Sequence, residues 1–140
     1  MTTAEDPLDL TPSHLEFLRT EQHAIVATIQ PDGMPQLTPN WYWWDGELIW
    51  VSTLDRTVKV RNLRLDPRIT LCIDSGKRRE NYVQVFGTAE VIEGDVRATT
   101  LDLIRKYEPV EEDAQRHWES IKADRVLIAV RPSRMQWRYD

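Results

Sequence analysis

Two tight-turn signals constrain what this chain can fold into, because each joins two strand-like segments. In the Pro-Asp-Gly turn at residues 31–33, proline fixes the entry φ and glycine accepts the positive φ of a hairpin turn. The Asp-Gly pair at residues 45–46 is the strongest two-residue hairpin signal in the chain. Pro39 has no N–H for a strand ladder and indicates an edge position or a bulge. Together these signals predict a three-stranded antiparallel meander, with strands at residues 24–30, 35–44 and 47–52.

The rest of the chain continues the strand pattern and adds amphipathic helices. Gly87 interrupts the alternation of a long strand, which indicates a bulge or a corner where a sheet bends. Residues 1–10 are expected to form a loose arm, and Pro132 is expected to begin a short tail. Hairpin-linked strands with helices between them predict a mainly β, single-domain chain over residues 1–140, an antiparallel β-barrel of six to seven strands with peripheral helices. The further strands are predicted at residues 68–74, 81–93 and 125–130, and the helices at residues 11–19, 96–107 and 110–122.

Composition narrows the functional classes. The formal net charge of −5 argues against general nucleic-acid binding, which depends on broad phosphate neutralisation. The single cysteine, Cys72, lies in an apolar strand pattern, which excludes a disulfide framework and predicts a small buried side chain. The first ten residues show no secretory pattern, and no segment approaches the ~20 apolar residues that cross a bilayer. These features predict a cytoplasmic protein that binds neither nucleic acid nor membrane.

The segment between residues 51 and 71 carries the clearest functional signal. A strand ends in hydroxyl residues, and Thr57 then opens a short helix that Asp66 and Pro67 end. Val58, Leu63 and Leu65 are expected to form its apolar stripe. Residues 56–68 hold five cations against one acid, in a chain that is acidic overall. Hydroxyls, helix N–H groups and cations together favour a phosphate site, although a solvated helix face fits the same spacing.

Motifs for catalysis by the protein's own side chains are missing from the sequence. It contains no GxSxG, P-loop, GxGxxG or CxxC pattern, and no cluster of histidine, cysteine and carboxylate residues with metal-ligand spacing. We therefore predict no metal site and no catalytic side chain. If the protein is an enzyme, a bound cofactor is expected to carry the reaction while the protein positions it.

The order of three sequence blocks resembles a known superfamily. The blocks are PDGMPQLTPNWYWWDGELIWVST, KVRNLRLDPRITL and YVQVFGTAEV, and they resemble the pyridoxamine 5′-phosphate oxidase-like split β-barrel proteins. Within that superfamily the chain looks most like the flavin/deazaflavin oxidoreductase branch that uses coenzyme F420, and the likeness runs from about residue 15 to residue 137. The resemblance implies a homodimer with two equivalent cofactor sites at the subunit interface, acting on a small-molecule substrate.

The resemblance also implies which residues hold the cofactor. Its ring would lie along four residues of the second strand and its phosphate on the 51–71 segment, with Lys59 exposed before the cofactor binds. The later strand has Tyr-Val-Gln at residues 82–84 where pyridoxamine phosphate oxidases have Gln-Val-Arg, and the chain ends MQWRYD without their C-terminal arginine and histidine pattern. Both departures argue against pyridoxamine phosphate oxidase activity itself. The implied ring residues are Thr38, Pro39, Asn40 and Trp41, and the phosphate residues are Ser52, Thr53, Arg56, Thr57 and Lys59, with Arg61 nearby.

The resemblance to the F420 branch, together with the charge pattern, favours F420 over FMN as the cofactor. FMN has one terminal phosphate, whereas F420 has a phosphodiester and an acidic oligoglutamate tail that suit an extended cationic groove. Arg61, Arg64 and the Lys-Arg-Arg loop at residues 77–79 would provide that groove, although the loop also fits a solvated hairpin tip. An FMN-dependent oxidoreductase, a flavin- or haem-binding protein without turnover, and a plain dimeric interaction domain are the alternatives.

Overall fold

The computed structural model describes residues 8–20, 23–76 and 81–138. Each predicted helix and strand region has a counterpart there, and the element boundaries follow the turn residues closely. The elements in chain order are α1 (Pro12–Thr20), β1 (Ala24–Ile29), β2 (Pro35–Asn40), β3 (Trp43–Trp44), β4 (Ile49–Leu54), α2 (Val58–Leu65), β5 (Arg68–Asp74), β6 (Tyr82–Ile92), α3 (Arg97–Tyr107), α4 (Glu111–Ile121) and β7 (Arg125–Arg138).

The seven described strands form one sheet in the order β2-β1-β5-β6-β7-β4-β3, and all neighbours are antiparallel. The sheet curls into a half-barrel, and four helices accompany it. This confirms the predicted mainly β split barrel with peripheral helices. β2 pairs only with β1 and lies at one edge of the sheet, as Pro39 indicated.

The predicted three-stranded meander is wrong. Residues 35–44 form two strands, β2 and β3, which lie at opposite edges of the sheet. The break falls at Trp41 and Tyr42, where the Tyr42 ring is fully buried and its hydroxyl donates to the carbonyl oxygen of Leu18 at 2.6 Å. Burying that ring takes the backbone out of the strand ladder, so the chain crosses from one sheet edge to the other.

β6 and β7 form the longest pair, and Gly87 shapes it. The register shifts between Phe86 and Gly87, as predicted for a bulge. A Cβ atom on Gly87 would lie 2.1 Å from the carbonyl oxygen of Arg131, so this close approach requires glycine. Pro132 pairs opposite Gly87, where the ladder is already irregular, and the strand continues to Arg138. The predicted tail is therefore strand.

Two apolar clusters cover the two faces of the sheet. The inner cluster joins alternate strand residues to α1 and α2, and the outer one packs Leu127 and Trp50 beneath α3 and α4. Cys72 was expected to be buried, but the alternation of β5 turns Leu71 inward and Cys72 outward, where it is half-buried. Partial burial raises the pKa of its thiol, and Asp74 raises it further. Among the described residues, no helix has the length and apolar character of a membrane span.

Candidate functional site

The start of α2 offers backbone N–H groups to an anion. Thr57 precedes the helix in an extended conformation, and its hydroxyl donates to the carbonyl oxygen of Leu54 at 3.1 Å instead of capping the helix. The N–H groups of the first turn therefore have no Thr57 side-chain acceptor. Free N–H groups and the helix dipole favour negative charge at this position.

The buried face of α2 differs from the predicted stripe. Val60 and Leu63 enter the inner cluster, whereas Leu65 is 68% exposed. The helical period of 3.6 residues places positions 60 and 63 on the same side and turns position 65 away from it. The same period buries two polar residues, Lys59 and Asn62.

Lys59 is the most unusual side chain in this region. It was expected to be exposed, but only 7% of its surface is accessible. Its ammonium makes no hydrogen bond or ion pair with any other residue in the described part of the chain, and burial lowers its pKa below the ordinary value. The ammonium is not among the fully buried polar atoms, so a buried stem carries a charge that reaches solvent, where an opposite charge would stabilise it. The described chain supplies no such charge, so a bound anion would stabilise this lysine.

A chain of buried hydrogen bonds ties α2 to the edge strand β2. The Asn62 amide donates to the Thr28 hydroxyl at 3.1 Å, and that hydroxyl lies 3.3 Å from Gln36 Oε1, within donating distance. The side-chain amide oxygen of Asn62, Oδ1, is buried and has no partner within the described chain. Thr28, Gln36 and Asn62 were not among the residues predicted from the sequence. The available signal was the i, i+3 spacing of Lys59 and Asn62, which places both on one helix face.

The two hydroxyl residues at the end of β4 lie on opposite faces of the sheet. Thr53 is on the inner face, and its hydroxyl oxygen lies 3.4 Å from that of Thr57. Ser52 pairs with Leu127 on the outer face, where its buried hydroxyl has no hydrogen-bond partner within the described chain. The structure therefore brings Thr53 and Thr57 together and separates Ser52 from them.

The predicted arginines lie beside the helix start. Arg56, Arg61 and Thr57 line an open groove that Arg64 and Leu65 extend and that also contains Asp55. Arg56 is 3.8 Å from the Asp124 carboxylate, and Arg64 is 3.4 Å from that of Glu93. The Arg61 side chain makes no ion pair with a described residue. The groove is cationic at its centre, while the predicted basic loop at residues 77–79 lies outside the described residues.

The four residues expected along the cofactor ring divide into three positions. Thr38 and Asn40 share the inner face of β2, and their side chains are joined by a hydrogen bond of 2.8 Å. Pro39 lies on the outer face opposite Ile25. Trp41 follows the strand and stacks on the Tyr107 ring, with centroids 4.1 Å apart and planes at 8°. Thr38 and Asn40 are thus placed together, and Trp41 forms a separate wall held by α3.

A model of the pyridoxamine 5′-phosphate oxidase family matches residues 10–138, and the chain belongs to this family. Among solved structures, a conserved hypothetical protein from Mycobacterium tuberculosis is 24% identical, with 97% of this chain and 89% of that chain covered and a TM-score of 0.78. An F420 reductase is 27% identical, with 91% of this chain and 98% of that chain covered and a TM-score of 0.72.

Other similar structures have different descriptions. A haem storage protein from Vibrio cholerae is 18% identical, with 88% of this chain and 89% of that chain covered and a TM-score of 0.67. At that identity the likeness shows the fold alone. The same half-barrel thus occurs in proteins described as a reductase and as a haem store, so the function of this chain must be argued from its own side chains.

Proposed function

We propose that this protein is an F420-dependent oxidoreductase that transfers a hydride between the deazaflavin and a small organic substrate. One observation carries the proposal: Lys59 is buried at the start of a helix and has no counter-charge among the described residues. A cofactor phosphate would supply that charge and accept hydrogen bonds from the first-turn N–H groups. The likeness to an F420 reductase supports the choice of deazaflavin.

Each residue of the proposed site has a physical role. Lys59 and the α2 N–H groups would hold the phosphate, with the hydroxyls of Thr53 and Thr57 as further donors. Bound F420 supplies the hydride chemistry, and hydride transfer itself requires no protein acid or base. Trp41 would cover the approach to the ring and exclude water from it. We therefore propose no catalytic side chain.

The exposed arginines favour F420 over FMN. Arg56, Arg61 and Arg64 extend the positive charge along the groove beyond the reach of a single phosphate. FMN would use only the helix start, whereas the acidic tail of F420 would also use the groove. FMN is the alternative cofactor. The alternative function is a flavin or haem carrier without turnover. We propose a cytoplasmic location under either function.

We propose a second copy of the chain as the partner. Outside the region beneath α3 and α4, the outer sheet face at β1 and β2 exposes Ile25 (37%) and Leu37 (60%), with Pro39 beside them. Exposed apolar side chains of this size on neighbouring strands are typical of an interface. Leu37→Glu is expected to convert the dimer to a monomer in light scattering. A wild-type protein that is monomeric at high concentration would contradict the dimer.

The function is tested by titrating the purified protein with F420 and, separately, with FMN while following tryptophan fluorescence. We expect F420 to bind more tightly than FMN. The protein loaded with reduced F420 is then mixed with a panel of reducible organic acceptors, and oxidation is followed by absorbance. Tight binding without oxidation by any acceptor would favour a carrier. Tighter binding of FMN would identify FMN as the cofactor instead of F420, and binding of neither compound would refute the proposal.

A further inference from the structure

The crossover between β2 and β3 is held by α3 instead of by the sheet. The β1–β2 ladder ends at Asn40 and the β3–β4 ladder begins at Trp43, so Tyr42 lies in the crossover between these two ladders. Its backbone N–H donates to the Tyr107 hydroxyl at 3.0 Å, and that hydroxyl lies 3.2 Å from the Tyr42 carbonyl oxygen. The Lys106 ammonium also donates to this carbonyl oxygen, at 3.1 Å. Two neighbouring residues of α3 thus replace the missing ladder bonds.

The same contacts fix the side chains on both sides of the crossover. The Tyr42 hydroxyl donates to Leu18, and the Lys106 ammonium lies 3.5 Å from the centre of the Tyr42 ring. Trp41 stacks nearly parallel on Tyr107, and the ring of His117 tilts toward it at 5.6 Å. Trp41 is therefore held in one orientation by two helices.

The Tyr107 hydroxyl is suited to serve both backbone groups. Burial raises its pKa to about 12, so the proton remains on the hydroxyl at neutral pH. A protonated hydroxyl both donates and accepts, which matches the N–H and the carbonyl group of Tyr42. A phenyl ring at this position would keep the stack on Trp41 and lose both backbone contacts.

We propose that Tyr107 is a positioning residue that fixes Trp41 as a wall for the cofactor ring and substrate. This inference rests on the proposed function. Trp41 follows Asn40, whose side chain lies on the inner face of β2 with Thr38, so displacement of the crossover displaces the ring end of the site. The phosphate end lies on another element, α2. Tyr107 therefore governs recognition of the ring and leaves phosphate anchoring unchanged.

The test compares two ligands on the Tyr107→Phe variant. F420 carries the ring, whereas ribitol 5-phosphate carries a phosphate and the sugar alcohol alone. We expect the substitution to weaken F420 binding about tenfold, the scale of one or two lost hydrogen bonds, while ribitol phosphate binding changes less than about twofold. Ser133→Ala, which removes an exposed hydroxyl that donates to the carbonyl oxygen of Phe86 away from the crossover, is the control and should change neither affinity. Circular dichroism confirms that each variant is folded at the assay temperature.

Three outcomes would overturn the inference in different ways. Unchanged F420 affinity in Tyr107→Phe would refute the positioning role and leave the proposed function intact. Equal weakening of both ligands would show a general structural role, and would also refute it. If the wild-type protein binds neither ligand, the proposed function fails, and the positioning role fails with it.

Discussion

Two lysines, one on α2 and one on α3, show how differently the two helices are used. The Lys106 ammonium donates to the carbonyl oxygen of Tyr42 and lies over the Tyr42 and Tyr107 rings. Lys59 is also withdrawn from solvent, yet it contacts no acceptor or opposite charge among the described residues. The same side-chain type therefore has a partner at α3 and none among the described residues at α2. The arrangement at α3 stabilises the backbone at Tyr42, whereas the arrangement at α2 is suited to a ligand.

The polar groups around each lysine follow the same division. Near α3, the Tyr42 backbone and the Tyr107 hydroxyl satisfy each other. Near α2, Thr57 makes no side-chain cap, and the buried side-chain oxygen of Asn62, Oδ1, has no partner in the described chain. Buried polar atoms without partners are uncommon in folded proteins, so Asn62 Oδ1, on the same helix face as Lys59, supports α2 as a candidate functional region.

The largest expected effect is on binding at α2. Lys59→Met keeps the length and most of the apolar stem of the side chain but removes its charge. We expect the affinity for the phosphate-bearing cofactor to fall about 10- to 100-fold, the usual range for a charge-assisted hydrogen bond. Calorimetric titration measures it. With ribitol 5-phosphate, which lacks the ring that the crossover positions, Lys106→Met is the matched control, and equal losses of affinity in the two variants would break the distinction between the helices.

The next largest effect is on the free energy of unfolding, and substitution of the two lysines should change it in different directions. Lys106→Met removes a hydrogen bond and a cation–π contact, and we expect it to lower the free energy of unfolding by about 1–2 kcal/mol. Lys59→Met removes a partly desolvated charge without a partner and should leave the cofactor-free protein equally or more stable. Urea denaturation measures both. Destabilisation by Lys59→Met as large as that by Lys106→Met would show that Lys59 is also structural.

Measuring stability as a function of pH tests further whether the charge of Lys59 is desolvated in the folded protein. Burial lowers the pKa of Lys59 in the folded protein, so between that pKa and the ordinary value of 10.5 the unfolded state binds more protons. The free energy of unfolding contributed by this group therefore rises with pH across that window, and is constant below it. We expect the free energy of unfolding of the wild type to rise relative to that of Lys59→Met as the pH increases toward 10.5. A constant difference between the two proteins would contradict the desolvation of the charge.

The smallest expected effect concerns the exposed groove. Arg61→Gln should weaken F420 binding only about two- to threefold, because solvent screens an exposed cation. The loss should disappear at high salt and should be absent for FMN, which has no acidic tail. An effect as large as that of Lys59→Met would move the phosphate site from the helix start into the groove.

Local sequence signals predicted much of the fold, and long-range packing accounts for the errors. The turns at residues 31–33 and 45–46, the bulge at Gly87 and the helix opened by Thr57 all follow from backbone preferences of a few neighbouring residues. The meander failed because the burial of Tyr42 against Leu18, 24 residues earlier, breaks the strand. No local pattern around residue 42 encodes that contact.

The location of the candidate site remains a prediction, and some of its expected details are wrong. The cation-rich segment after β4 indicated where a phosphate would bind, and Arg56, Thr57 and Arg61 do line one groove. The expectation that Lys59 is exposed was wrong, because the face of an eight-residue helix depends on what it packs against. Thr28 and Gln36 were missed because the hydrogen bond between Asn62 and Thr28 joins residues 34 positions apart, and Gln36 is linked to Asn62 only through Thr28.

In the proposed site, the contact between Lys59 and the cofactor phosphate supplies most of the cofactor affinity. The most direct test compares F420 with 8-hydroxy-5-deazariboflavin, which has the same ring and sugar alcohol without the phosphate, on wild type and on Lys59→Met. We predict that wild type binds F420 at least about tenfold more tightly than this compound, which lacks the acidic tail as well as the phosphate, and that Lys59→Met retains only the roughly two- to threefold preference that the tail contributes in the groove. Equal affinity of wild type for both compounds would contradict the account.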